Sequence, residues 1–156
     1  MSPLPVILCG RNPNIAQIVR KHMLPEYVVT HIILILTSGV ADIPLLLQGR
    51  TPPNHTTNLG SQNYNAPTVT VVTGGGFDDE DFALMKNACK TTEGIRHVPW
   101  LRPDLEKPRP TGAKAHDLNK LGADAIQAFG EGTARRVKAC LGKDGVLGTE
   151  DEVILF

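Results

Sequence analysis

Three observations predict an α/β fold with a mostly parallel sheet for this chain of 156 residues. Short apolar runs alternate with amphipathic helical stretches, strand then helix, four times over. The second run, residues 28–36, is apolar almost throughout, as in a strand covered on both faces. Glycine or a capping residue closes each of the first three runs, at Gly10, at Ser38-Gly39 and at Gly74-Gly75-Gly76.

Residues 5–9 read as a buried strand that breaks at Gly10. Asn12 suits an N-cap, since its side-chain oxygen can accept a first-turn N–H. Pro13 suits the first helical position, where its missing N–H costs nothing. That helix runs over 13–23 with Ile15, Ile18, Val19 and Met23 on one face, and Pro25 stops it. After the second strand, Thr37-Ser38-Gly39 turns into a helix over 40–48. Pro44 moves its start toward Asp42, and Gly49 ends it. Residues 50–67 have no apolar period, so they form either a surface excursion or a lid over a site.

Residues 68–73 form the third strand, followed by Gly74-Gly75-Gly76-Phe77. Asp78, Asp79, Glu80 and Asp81 suit the start of the helix that continues over 82–89. A short fourth strand spans 96–100, and a proline-dense loop follows over 101–110. A last helical region covers 115–141, with a kink or a split expected at Gly130 and Gly132. The tail over 146–156 ends in an apolar run suited to an edge strand or to docking on a partner. Right-handed crossovers then give strand order 2-1-3-4. The expected architecture is one domain over 1–156, a Rossmann-like or flavodoxin-like three-layer sandwich of four to five strands.

Composition narrows the function. Sixteen basic and sixteen acidic residues leave no electrostatic footprint for nucleic acid, and 4% aromatics leave few stacking platforms. No run reaches the roughly 18 to 20 apolar residues that span a bilayer, and Met1-Ser2-Pro3-Leu4-Pro5 does not read as a signal peptide. Cys9, Cys89 and Cys140 are scattered, with no CxxC spacing, which argues against a disulfide scaffold or structural zinc. A cytoplasmic setting follows as the expectation. The apolar second strand would stand at a sheet edge, so a homodimer is expected to bury it.

In such sheets ligands bind beyond the carboxyl ends of the strands, where strand order reverses. Here that point lies between the first and third strands. The expected substrate-binding groups there are Gly10, Asn12, Gly75, Gly76, Phe77 and Trp100, with Arg11 and Arg102 polarising a carbonyl or holding developing negative charge. Cys9, beside a helix N-terminus, or His55, folding over from the long loop, would move a proton. His31 reads as a core histidine and His97 lies at the opposite end of the sheet. No metal-ligand spacing is present, so no metal is expected. The first turn lacks GxGxxG, bulky Arg11 stands where a pyrophosphate would approach, and the acids after the triple glycine would repel phosphate. No cofactor is therefore expected.

Three segments together, Leu8-Cys9-Gly10-Arg11-Asn12-Pro13, Leu59-Gly60-Ser61-Gln62-Asn63-Tyr64 and Pro99-Trp100-Leu101-Arg102-Pro103-Asp104, resemble a group of small Rossmann-like proteins of filamentous fungi. The resemblance covers most of residues 5–106 and implies a metabolite ligand, but it transfers no catalytic residue. The expected function is a small-molecule enzyme without redox cofactor, a lyase, isomerase or cyclase (pericyclase-like chemistry included) acting on a hydrophobic oxygenated secondary metabolite. The alternatives are a nucleotide- or phosphate-binding module taking NAD(P) or FMN, and a non-catalytic dimeric scaffold.

Overall fold

The computed structural model describes residues 2–106 and 122–156. β1 (Leu4–Cys9) leads into α1 (Pro13–Met23), β2 (Tyr27–Ile33) into α2 (Leu36–Leu47), and β3 (Thr70–Thr73) into α3 (Asp79–Lys90). β4 (Trp100–Arg102), α4 (Ala123–Leu141) and β5 (Val153–Leu155) complete the order. The strands form one sheet ordered β2-β1-β3-β4-β5, every neighbouring pair parallel. The expected 2-1-3-4 order is present, and the tail extends it as the β5 edge strand.

Four boundaries differ from expectation. β2 ends at Ile33 and α2 begins at Leu36, so residues 34–39 leave the expected strand and turn, and Pro44 lies inside the helix instead of near its start. The apolar run hid that junction because Leu34, Ile35 and Leu36 are as apolar as β2, although Ile35 is exposed. β3 starts two residues late, at Thr70. β4 starts only at Trp100: the Arg96 N–H is held by the Leu47 carbonyl at the end of α2, and the Val98 carbonyl by Asp151 N–H. α4 runs unbroken through Gly130 and Gly132. A side chain at Gly130 would collide with Ile18 of α1, so this glycine serves a close helix crossing and makes no kink. The expected stretch 115–121 lies outside the described residues.

The sheet separates two cores. Val6, Leu8, Val29, Ile32, Val72 and Leu101 pack under α1 and α4, whereas Ile7, Cys9, Ile33, Val71 and Trp100 pack under α2 and α3. Val29 and Ile32 share a face at odd spacing because the β1–β2 register slips: Val6 faces Val29, but Ile7 faces His31. Thr30 is the extra residue of this bulge. A one-residue slip exchanges the faces of everything beyond it. Without it His31 would share the α1/α4 face with Val29; with it, His31 meets α2.

The outer edge of β2 is covered by the chain itself. Ser61 N–H donates to the Val29 carbonyl and Gln62 N–H to that of Thr30. The Asn58 amide bonds both the N–H and the carbonyl of Ile32. A side chain at Gly60 would run into the backbone of Thr30 and His31, so only glycine permits this approach. Residues 58–62 thus act as an edge guard, and the bare edge that motivated the homodimer is not there.

Candidate functional site

At the crevice expected beyond the carboxyl ends of the strands, the donors proposed for a ligand are engaged by the protein's own groups. Gly10 N–H donates to the Ile33 carbonyl, and Gly74 N–H to that of Cys9. Asn12 does cap α1, and by accepting from the N–H groups of Asn14 and Ile15 it occupies the amides a ligand would need. Arg11 lies over the Phe77 ring, donates from Nε to the Gly76 carbonyl at 2.6 Å, and pairs with Asp81 at 2.8 Å. Arg102 lies over Phe82 and pairs with Asp79 at 2.7 Å. Both guanidiniums do converge, as expected, but on the acidic first turn of α3. The sequence marks that turn only as a favourable helix start.

The other expected residues there are also committed elsewhere. Cys9 is fully buried, and burial pushes its thiol far above the ordinary range, which is a correction to its reading as a group that moves a proton. Phe77 is a core residue beneath Arg11, and Gly75 is exposed at the turn. Trp100 begins β4 instead of ending a strand at the crevice, and stacks edge-on against Phe82 with ring centroids 5.7 Å apart. It belongs to the core and to the opposite end of the sheet.

His55 sits in a short 3-10 turn over His55–Thr57, its Nδ1 donating to the Pro52 carbonyl. It faces Tyr64 edge-on, beside a buried polar chain. His31, with 2% of its side chain exposed, has Nε2 3.0 Å from Asp42 and Nδ1 2.8 Å from the Tyr64 hydroxyl. A carboxylate only accepts, so Nε2 carries the proton and Tyr64 donates to Nδ1. Burial lowers the His31 pKa below its ordinary 6.5, against the opposing pull of Asp42 and with a smaller push from His55. The chain ties β2, α2 and the long loop together. Both ring nitrogens are engaged, so this histidine holds the loop and has no nitrogen left for a substrate.

An open cleft lies at the amino ends of β4 and β5. Its volume is about 360 Å³, and Lys86, Cys89, Ile95, His97, Trp100 and Asp151 line it. That size falls within the range of small-ligand sites. His97 Nδ1 meets Asp151 Oδ2 at 2.7 Å, and Lys86 Nζ donates to the Asp151 carbonyl at 2.6 Å. Asp151 therefore gathers an imidazole and an ammonium within reach of one residue, from a backbone held at φ 58°. With Nδ1–H directed at the carboxylate, Nε2 is the accepting nitrogen of His97. Burial, with Asp151 adding to it, pushes the Cys89 thiol up to about 12, so the floor is a neutral thiol beside the indole. The one legible signal was Lys86, Cys89 and Lys90 at i, i+3 and i+4 on one helix face. Nothing in the sequence brought Asp151 to His97.

No metal-binding group of three or more His, Cys, Asp or Glu side chains occurs among the described residues, and none of their helices is long and apolar enough to cross a membrane. No family model matches the chain, and no solved structure matches it. The chain is similar to a protein of Aspergillus oryzae named Kojic acid related protein 6, with 31% identity over 104 residues, 67% of this chain. It spans 61% of that relative's length. The relative is fungal, in keeping with the resemblance drawn from residues 5–106.

Proposed function

We propose that this chain is a small-molecule enzyme that moves a proton on a largely apolar, oxygen-bearing secondary metabolite without a redox cofactor: a lyase, isomerase or cyclase. The observation that carries this reading is the His97–Asp151 pair at the mouth of a cleft floored by Trp100. Asp151 orients the imidazole and stabilises it once charged, while Nε2 takes the substrate proton. Ile95, Cys89 and Trp100 supply an apolar wall that fixes the ring of a small substrate. The relative named for kojic acid supports the metabolite class. Arg11 and Arg102 drop out of the mechanism, because each already has an aspartate.

The test is a screen of oxygenated fungal metabolites, kojic acid among them. Binding is read by Trp100 fluorescence and turnover by mass spectrometry, without added nicotinamide or flavin. At least one compound is expected to quench saturably and to be converted, with H97Q lowering turnover about a hundredfold or more. Turnover by H97Q at the wild-type rate would overturn the assignment. Thermal stabilisation by NADPH, FMN or ATP in its place would favour the nucleotide-binding alternative.

A further inference from the structure

We propose that the cleft selects an acidic enol or phenol and binds it ionised, with His97 taking the hydroxyl proton and Lys86 holding the oxyanion. This rests on reading the cleft as the small-molecule site, and it names the functional group that the site recognises. Lys86 and His97 meet at Asp151, the one through its carbonyl and the other through its carboxylate. The backbone carbonyl takes one N–H of the ammonium, and the two remaining donors are available to an oxygen in the cleft. Lys86 and Lys90 make no ion pair among the described residues.

The charge balance accommodates an ionised ligand. When the hydroxyl proton moves to His97 Nε2, the new imidazolium is matched by Asp151. Lys86 and Lys90 against Glu93 then leave one positive charge, which the oxyanion cancels. The carboxyl end of α3 would by itself favour a cation. The carbonyls of Asn87, Ala88 and Cys89, however, already accept from Thr91 and Thr92, including their hydroxyls. A ring stacked near Trp100 and Ile95 supplies the apolar part. A neutral ether of the same shape has no proton for His97 and no oxyanion for Lys86, so it forgoes the charge-assisted contact that the ionised ligand makes.

The experiment uses the whole chain with 4-nitrophenol and its methyl ether, 4-nitroanisole. The phenol is expected to quench Trp100 and to develop its phenolate absorption at a pH where the free compound is mostly neutral. The ether should bind about tenfold more weakly, the loss of one charge-assisted hydrogen bond. K86Q should raise the pH at which the bound phenol ionises. Equal quenching by both compounds, with no phenolate band, would overturn this inference and leave the cleft standing as a small-molecule site. No change in Trp100 emission with either compound would remove both readings. Should K86Q fail to fold, the two wild-type titrations decide alone.

Discussion

Two His–Asp pairs, one at each edge of the sheet, have similar geometry and different surroundings. His31–Asp42 at the β2 edge spans 3.0 Å with 2% of the histidine side chain exposed, while His97–Asp151 beside β4 spans 2.7 Å with 51% exposed. The difference lies in the second nitrogen. At His31 it is occupied by Tyr64, so the pair ends in the protein and fastens a loop. At His97 it is directed at no described residue, in a cleft that also holds Lys86. A hydrogen bond to an aspartate orients an imidazole in either case; only a nitrogen left accessible makes it a base.

Substitution should separate the pairs most sharply. H31A strands Asp42, Tyr64 and Asn58 at a buried position and should cost about 2–4 kcal/mol in denaturant unfolding. H97A should stay within about 0.5 kcal/mol of wild type, as expected of an exposed pair. Equal losses would erase the distinction. Acid offers a second separation. The unfolded chain binds a proton at His31 from about pH 6.5 downward, whereas the folded chain, its pKa depressed by burial, resists. Stability from this group is thus complete above pH 6.5 and declines as pH falls through the folded-state value. Unfolding curves of H31N should lose that part of the acid dependence. Thiol chemistry should sharpen the cleft's description: Cys89 and Cys9 should react with an aromatic disulfide reagent far more slowly in the native than in the unfolded chain, and fast native labelling of Cys89 would mean a more open floor. The smallest effect is expected at the Arg11–Asp81 pair. D81N should change stability by about 0.5 kcal/mol or less, and less still at high salt.

The layered arrangement was legible because it follows from local signals. Apolar runs bounded by Gly10 and Gly74, the Asn12-Pro13 cap and the amphipathic 13–23 stretch each point to an element without reference to the rest of the chain. The boundaries were less so. At residues 34–36 the junction itself is apolar although Ile35 is exposed and Leu34 and Leu36 only half-buried, so no change of composition marks it. The site was the least legible part. Arg11 and Arg102 were correctly placed at the carboxyl ends of the strands, but their counter-ions come from α3.

What sequence alone determined is therefore the order of strands and helices, their parallel pairing, and the end of the sheet at which each loop emerges. Tertiary structure decided which polar groups remain for a ligand. Partner choice depends on residues far apart in the chain: Asp151 reaches His97 only because β5 joins the edge of β4, and His31 reaches Asp42 only because the Thr30 bulge exchanges faces. Helical and strand periodicity record which way a residue points along its own element, whereas a functional site depends on what stands opposite.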